Sequence, residues 1–273
     1  MRTCELQDLY FLIPYFLFII PYLFLFVPYL KKGNMALQPW RTGRVTRIVD
    51  ETPDTKRFWI EVPELSSFDF NPGQFITLDL PIHEKPNKRW RSYSIASWPD
   101  GTNVLELVIV LDKLGAGTPW LWNNVTVGSE LIFRGPQGVF ILHEPLDKDI
   151  FLICTGTGIA PFRSMVNHIR NHNIPHKRIF LIFGCRTRST LLYFDEFVKL
   201  DRELEHFFYI PTLSREQWDG KSGYVHPIYE AFCEEREPAL FFLCGWKGMI
   251  DEARKRITDM GYDKKAIHVE IYG

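Results

Sequence analysis

The stretch "IFLICTGTGIAPFRSM" (residues 150–165) joins an apolar run to a glycine-containing turn and then to a helical pattern. The run "IFLICT" is typical of a strand buried on both faces of a parallel sheet. Two glycines let the backbone approach a ligand closely, and the proline suits a first helical turn. Because a helix amino terminus favours anions, this order predicts a pyrophosphate site; the alternative is an ordinary turn between strand and helix. The candidate contacts are Thr155, Gly156, Thr157, Gly158 and Pro161.

The same alternation continues to the end of the chain. Further apolar runs are "IFLIFG" (179–184), "FFYIPTLS" (207–214), "LFFLCG" (240–245) and "AIHVEIY" (266–272). Helical patterns separate them, and Gly261 is placed to cap the last of these helices. Strands alternating with helices predict an α/β domain with a doubly wound parallel sheet over residues 148–273. In that architecture ligands bind at the carboxyl ends of the strands.

The preceding part of the chain has a different pattern. Short β-branched and aromatic runs alternate with turn signals such as "NPGQ" and "PDGTN". The runs are "GRVTRIVD", "KRFWIEV", "QFITLDL", "RSYSIAS", "VLELVIVL" and "ELIFRGP". They predict a six-stranded antiparallel β-barrel of Greek-key type over residues 39–142.

Bulk composition narrows the class of protein. The 273 residues are 46% hydrophobic and 24% charged, with a net charge of −1, so the chain is globular and no general affinity for nucleic acid is expected. The cysteines are Cys4, Cys154, Cys185, Cys233 and Cys244. They form no CxxC and no metal-like cluster, which indicates a reducing compartment, no metal site and no iron–sulfur module.

Residues 1–34 form a separate hydrophobic segment. Residues 9–30 carry no charge and are long enough to span a bilayer, and Lys31 and Lys32 follow directly. The lysines would leave the rest of the chain in the cytoplasm, tethered to the membrane at that face. The alternative is that a repeated Pro-Tyr pattern marks translated upstream sequence, with Met35 as the true start. Either way the predicted location is cytoplasmic, and membrane contact is expected only through residues 9–30.

A basic group follows the second and third parallel runs. Sites for NAD usually place an acidic residue near the end of the second strand, but here Arg186 and Arg188 follow it. The third run ends in Ser214 and Arg215, with Lys221 and Tyr224 soon after. Hydroxyl, guanidinium and ammonium groups together suit a 2′-phosphate and so favour NADP(H); the alternative is a solvated basic rim.

The segment "KRWRSYSIAS" (88–97) contains the other candidate site. On a strand, Arg91 and Tyr93 share one face, and Ser92 and Ser94 share the other. These groups can hold a phosphate, stack on a flat ring and form a hydrogen bond to its edge. A half-exposed strand without function is the alternative.

Together these segments resemble the plant-type ferredoxin–NADP⁺ reductase family, without a fused iron–sulfur domain, from about residue 41 to 272. The resemblance implies that "RSYS" holds FAD, with Arg91 on the pyrophosphate, Tyr93 on the isoalloxazine and Ser94 near its N5. "LGAGTPWL" (114–121) matches the second FAD-phosphate loop, here with Gly117 and Thr118, where the family usually has a serine. At the position after the strand where the family often has a basic pair, this chain has "VLDK" (110–113).

The same resemblance extends through the second half. "TGTGIAP" matches the NADP pyrophosphate loop, and "SREQ" (214–217) with Tyr224 matches the 2′-phosphate site. "CGWKGM" (244–249) places Cys244 beside the nicotinamide. Glu270 and Tyr272 match the terminal glutamate and the aromatic residue that stacks on flavin, with Gly273 one residue beyond. The implied catalytic group is Ser94, Cys244, Glu270 and Tyr272.

The expected activity is electron transfer between NADPH and a small carrier protein, a ferredoxin or flavodoxin, through bound FAD. Basic residues in "HEKPNKRWR" (83–91) suit an acidic carrier; a solvated loop is the alternative. Two other functions remain open from the sequence. One is an NAD(P)H:flavin reductase that uses flavin as a diffusing substrate, and the other is a flavin- and nucleotide-binding module without turnover.

Overall fold

The computed structural model describes residues 38–272. The hydrophobic segment and Gly273 lie outside these residues, so the predictions made for them stay predictions. Within the described part, no helix is both long enough and apolar enough to cross a bilayer.

An antiparallel barrel forms the first part of the described chain. Its strands are β1 (Trp40–Thr52), β2 (Thr55–Glu61), β3 (Phe75–Asp79), β4 (Trp90–Ser94), β5 (Val104–Val110) and β6 (Glu130–Gln137). The strand order is β4-β3-β6-β1-β2-β5, and a bridge between Ile95 and Leu107 brings the outer strands together. All six predicted strands are confirmed.

Alternation along the strands explains how the barrel closes around a core. In β3, Ile76 and Leu78 are fully buried inside, while Phe75 and Asp79 are only partly buried. Register shifts in β1, one of them between Val45 and Arg47, allow this long strand to bend around the barrel. Two short helices, α1 (Pro86–Arg89) and α2 (Gly117–Asn124), lie in the connections after β3 and β5.

A parallel sheet forms the second part. Its strands are β7 (Asp149–Thr155), β8 (Ile179–Cys185), β9 (Phe207–Leu213), β10 (Lys221–Ser222), β11 (Ala239–Trp246) and β12 (Ile267–Tyr272). The helices are α3 (Ile159–His172), α4 (Phe194–Glu203), α5 (His226–Phe232) and α6 (Lys247–Asp259). The order β10-β9-β8-β7-β11-β12 reverses direction between β7 and β11. Ligands of such sheets bind at this switch point, so the fold brings the ends of β7 and β11 together there.

The prediction for this part is confirmed for five strands and three helices, including the cap at Gly261, where φ is +96°. It missed β10, which has two residues, and α5, which has seven. Segments this short carry too little periodicity to be recognised in a sequence.

One face of the parallel sheet carries a row of stacked phenylalanines. The Phe151 ring lies 4.8 Å from that of Phe180 and 5.1 Å from that of Phe241, nearly parallel to both. Phe208 continues the row, with its ring 5.1 Å from Phe180. These rings come from four neighbouring strands, β11, β7, β8 and β9, and they tie the register of the sheet together.

Candidate active site

Ser94, Glu270 and Tyr272 meet at the junction of the barrel and the parallel sheet. Ser94 ends β4 and is 4% exposed. The Tyr272 hydroxyl donates a hydrogen bond to Ser94 Oγ at 2.5 Å, and Ser94 Oγ in turn donates to Glu270 Oε1. The structure thus brings three of the four predicted catalytic residues into one hydrogen-bonded chain, although they are far apart in the sequence.

Cys244 completes this group from β11. It is fully buried and is the register partner of Glu270 on β12. Burial raises the pKa of the Cys244 thiol well above its ordinary value, and the nearby Glu270 carboxylate raises it further. A neutral thiol is a poor nucleophile, so Cys244 is suited to packing.

Glu270 has an unusual environment for a carboxylate. Burial raises its pKa above the ordinary value, although the hydrogen bonds with Ser94 and Tyr272 act in the opposite direction. A carboxyl group with a raised pKa can exchange a proton closer to neutral pH than an exposed one.

The predicted pyrophosphate loop lies beside this group. Gly156 has a φ of +55°, and a short turn at Gly156–Gly158 leads into α3, with Pro161 in its first turn. A Cβ atom on Gly158 would lie 2.4 Å from the Cys244 carbonyl oxygen, so only glycine lets the loop approach β11 this closely. The Thr155 hydroxyl accepts a weak hydrogen bond from the Trp246 amide at 3.4 Å, and Thr157 is half-buried.

The predicted FAD-phosphate residues also lie together. A Cβ atom on Gly117 would lie 3.0 Å from Arg91 Cγ, so the arginine stem runs directly over the start of α2. Arg91 Nη1 donates hydrogen bonds to the carbonyl oxygens of Lys88 and Trp90 at 3.0 and 2.8 Å. Thr118 Oγ1 accepts a hydrogen bond from the Asp112 amide and donates one to the Asp112 carbonyl oxygen.

The remaining residues of "RSYS" point to both sides of β4. Tyr93 packs against the barrel core, and burial raises the pKa of its hydroxyl. Ser92 is exposed, and its Oγ lies 3.0 Å from Thr77 Oγ1.

The predicted 2′-phosphate residues border an open cleft of about 410 Å³ after β9. Ser214 and Arg215 line it, and Tyr224, 75% exposed, follows the lining residue Gly223. The Arg215 amide donates to the Arg186 carbonyl oxygen at 3.0 Å, which joins the ends of β8 and β9. The structure adds one acidic neighbour, Glu216, which also lines the cleft.

Glu216 was not singled out in the sequence. Its Oε2 accepts a hydrogen bond from the Arg188 amide at 2.8 Å, so it holds the loop after β8 against the cleft. No sequence signal indicated this contact, because it depends on which loops become neighbours.

Sequence reasoning also missed a buried charged group between the barrel and the sheet, formed by Arg57, Glu106, Arg163 and Tyr193. A signal existed for two of its members. Glu106 is the single charge in "VLELVIVL", and Arg163 lies among the apolar residues at the start of α3. A charge inside an apolar run is expected to have a buried partner.

The donor groups present fit both expected cofactors. Gly117 lies beneath the Arg91 side chain, and a Cβ atom on Gly156 would meet nothing within 4 Å, so the backbone at Gly156 is open to a ligand. Each lies at the start of a helix, where backbone N–H groups and the helix dipole favour phosphate. Among residues 38–272, no three His, Cys, Asp or Glu side chains are grouped to hold a metal ion.

An antiparallel barrel, followed by a parallel sheet with a glycine-containing turn at its switch point, is the architecture of two-domain flavin- and nicotinamide-dependent oxidoreductases. The family models agree with this class: the oxidoreductase FAD-binding domain matches residues 42–141, and the oxidoreductase NAD-binding domain matches residues 152–255. The chain is 31% identical over 239 residues to ferredoxin–NADP reductase B of Sorangium cellulosum (strain So ce56), which covers 84% of this chain and 96% of that protein. The chain therefore belongs to the ferredoxin–NADP reductase-like family of FAD- and NAD(P)-binding oxidoreductases.

Two further comparisons agree with this assignment. The anthranilate 1,2-dioxygenase electron transfer component of Acinetobacter baylyi is 31% identical over 211 residues, covering 76% of this chain. This chain spans only 60% of that relative's length. The crystal structure of a ferredoxin NADP⁺ reductase from Neisseria gonorrhoeae, with bound FAD and NADP, superposes with a TM-score of 0.72 and 25% identity. That match covers 85% of this chain and 98% of the other.

Proposed function

We propose that this protein is a plant-type ferredoxin–NADP⁺ reductase that moves electrons between NADPH and a small one-electron carrier through bound FAD. The observation that carries the proposal is the hydrogen-bonded chain from Tyr272 through Ser94 to Glu270. It joins the strand that carries "RSYS" to the sheet that carries the nucleotide loop, which is where nicotinamide and flavin must meet.

Bound FAD would supply the chemistry that the side chains lack, since flavins take up electrons as a pair and release them singly. The side chains of the site hold protons in position and exchange them. Ser94 holds a proton between the Tyr272 hydroxyl and the Glu270 carboxylate. Glu270, with its raised pKa, takes up or releases that proton near the reacting atoms. Cys244 stays neutral and forms the wall of the site.

Binding roles follow from the same geometry. Arg91, with Gly117 and Thr118 at the start of α2, would hold the FAD phosphates, and Ser92 and Tyr93 would contact the rest of the flavin. Residues 155–158 and the first turn of α3, including Pro161, would hold the nucleotide pyrophosphate.

Preference for NADPH over NADH rests on the cleft after β9. Ser214 and Arg215 line it, and Arg186 and Tyr224 are close in the fold, so their hydroxyl and guanidinium groups would hold a 2′-phosphate. Glu216 also lines this cleft, where its Oε2 accepts a hydrogen bond from the Arg188 amide.

The electron carrier is proposed to be an acidic protein such as a ferredoxin or flavodoxin. Lys85 and Lys88 are exposed at α1, six and three residues before Arg91, which is proposed to hold the FAD phosphates. Arg89 contributes less positive charge than the sequence suggested, since it forms an ion pair with Asp79 at 2.7 Å. We place the activity in the cytoplasm, where the four free cysteines of the described chain would stay reduced.

The test is a spectrum of the purified protein followed by anaerobic titration with NADPH and with NADH. A yellow protein whose flavin is bleached at lower concentrations of NADPH than of NADH supports the proposal. A colourless protein that oxidises NAD(P)H only when free flavin is added would instead be a flavin reductase. Flavin that stays oxidised with both nucleotides, and no NADPH oxidation with ferricyanide, would indicate a binding module without turnover.

A further inference from the structure

A buried group of alternating charges connects the barrel to the parallel sheet. We call Arg57, Glu106, Arg163 and Tyr193 the junction cluster. Glu106, 3% exposed, accepts hydrogen bonds from Arg57 Nε at 2.6 Å, Arg163 Nη1 at 3.0 Å and the Tyr193 hydroxyl at 2.8 Å. Arg57 and Glu106 belong to barrel strands, whereas Arg163 and Tyr193 belong to the nucleotide part. The cluster therefore fastens one part of the molecule to the other.

Tyr193 enters the barrel side from the loop before α4. Its ring lies between two guanidinium groups, with the Arg57 and Arg163 carbons 4.7 and 4.4 Å from the ring centre. Its backbone is left-handed, with a φ of +54°, a conformation that bulky residues rarely adopt. Its amide donates to Glu51 of the barrel at 2.9 Å. A strained residue held by contacts on every side indicates that its position is fixed by the surrounding structure.

Arg163 links the two predicted cofactor sites directly. It lies on the first turns of α3, five residues after Gly158 of the nucleotide loop. Its Nη1 also donates to the Ala96 carbonyl oxygen at 2.9 Å, and Ala96 is two residues beyond Ser94 of the flavin strand. On its other side, Arg163 Nε is held by both oxygens of Glu196 at 2.9 Å. One side chain thus spans from the nucleotide helix to the flavin strand.

The cluster is costly to bury, which argues for a role beyond stability. Buried ion pairs are often no more stabilising than apolar residues of the same volume. Burial alone would raise the pKa of Glu106, but the positive charges of Arg163 and Arg57 outweigh it and hold the pKa below its ordinary value. The carboxylate therefore stays charged, and its three donors have fixed directions, which apolar packing would not provide.

We propose that the junction cluster positions the nucleotide loop relative to the flavin strand, so that Glu106, Arg163 and Tyr193 set the geometry of hydride transfer without touching either cofactor. They are positioning residues. This inference rests on the proposed function, in which nicotinamide and flavin react between these two segments. Because hydride transfer requires close and aligned reactants, a small shift at the cluster would slow the reaction more than it weakens binding.

The test compares Glu106→Gln and Tyr193→Phe with the wild-type protein as purified. Tyr193→Phe removes one hydrogen bond to Glu106 and keeps both the ring and the three charges of the cluster, so it remains informative if Glu106→Gln folds poorly. We expect flavin reduction by NADPH, followed by anaerobic stopped-flow absorbance, to slow about tenfold. The dissociation constant for NADP⁺ and the bound flavin per chain should stay at the values of the controls.

Two controls separate positioning from stability. Glu61→Gln breaks an ion pair with Arg44 on the barrel surface, so it removes a charged pair outside the junction. Ile257→Val loosens a fully buried position on α6 and lowers stability without touching the cluster. Arg163→Lys keeps the charge without the forked geometry of the guanidinium group. Its rate of flavin reduction should therefore lie between those of wild type and Arg163→Met.

A second readout does not depend on turnover. Hydrogen–deuterium exchange should become faster at the amides of residues 94–97, 159, 160, 162 and 163 in the cluster variants, and not in Glu61→Gln. Flavin reduction no slower than in the controls, or a loss of NADP⁺ affinity as large as the loss of rate, would overturn the positioning role. If the wild-type protein does not oxidise NADPH at all, the proposed function fails, and unchanged exchange in the variants would refute the junction separately.

Discussion

Glu270 is the titratable residue whose surroundings most affect the proposed chemistry. It lies opposite Cys244 in the sheet register and accepts a hydrogen bond from Ser94. Because burial raises its pKa, the folded protein binds this proton more tightly than the unfolded chain does. The carboxyl group therefore stabilises the fold in acid, and its contribution is lost as the pH rises through its raised pKa.

Replacement of this carboxyl with an amide should remove that pH dependence. We expect Glu270→Gln to gain thermal stability relative to wild type as the pH rises from about 4 to about 8, because the amide stays neutral while the buried carboxyl must ionise. Thermal unfolding across this range measures the difference. Glu205→Gln, at a site that is 88% exposed, serves as the control. Parallel curves for wild type and Glu270→Gln would show that the prediction is wrong.

Tyr272 lies next to Ser94 and Cys244, where the proposed function has nicotinamide enter. We expect Tyr272→Ser to tighten NADP⁺ binding and to weaken discrimination against NADH, because a small side chain no longer competes with the nicotinamide ring. Binding titrations and the ratio of kcat/KM for the two nucleotides test this. Tyr262→Ser, which removes a ring packed edge-on against Phe241 away from the site, is the matched control. Equal shifts in both variants would contradict the prediction.

At the residue scale, the sequence was sufficient to predict which side chains gather around Ser94, because each stands in a motif that resembles a known family. It was not sufficient for Glu216 or Tyr193. Their partners lie on segments far away in the chain, and no local pattern of residue types marks such contacts.

The loop between β7 and α3 depends on its closeness to β11. Gly158 has an ordinary helical φ of −60°, so its backbone would accept an alanine, but a Cβ atom would lie 2.4 Å from the Cys244 carbonyl oxygen. This position thus requires glycine for space and not for conformation. The sequence predicted that this glycine allows close approach to a ligand, and the structure adds that it also allows close approach to the strand beneath the loop.

Substitution at this glycine should disturb one element and leave the other cofactor site intact. We expect Gly158→Ala to lower stability by about 1–3 kcal/mol, because the loop must move away from β11. Nucleotide affinity should fall, while flavin content should not. Gly248→Ala is the control, since a Cβ atom there would meet nothing within 4 Å. NADP⁺ titration and chemical unfolding provide the measurements, and equal behaviour of both variants would count against the close contact.

Elements with strong periodicity were predictable, since burial on one or both faces leaves a clear pattern in the sequence. The helix α1 was not, although it positions the proposed carrier surface. Its four residues include a proline and three polar residues, none of them buried, so hydrophobic periodicity says nothing about it.

At the scale of the whole molecule, the barrel and the sheet are held together by charges in their interior, while the proposed partner surface relies on charges outside. The two sets of charges differ in how strongly salt weakens their interactions. Buried pairs such as Glu106 and Arg163 are screened little by ions, whereas exposed Lys85 and Lys88 are screened strongly.

Charge reversal at α1 should therefore affect electron delivery and not electron uptake. We expect Lys85→Glu with Lys88→Glu to slow reduction of an acidic ferredoxin about tenfold at low ionic strength and to flatten its salt dependence. Flavin reduction by NADPH should be unchanged. Lys264→Glu, an exposed change at the amino end of β12, is the control. Carrier reduction that is insensitive to salt in the wild-type protein would contradict the steering role.

The stacked phenylalanines on one face of the parallel sheet also affect the edge at which its strands end. Phe151 stacks on rings from both neighbouring strands, so a slip of β7 by one residue would turn that ring to the other face and break both stacks. The same slip would move Thr155 out of level with Gly184 and Cys154 out of level with Cys244. The stacked rings thus determine how the ends of neighbouring strands are aligned. That alignment decides whether the loops after those strands can contact the same ligand.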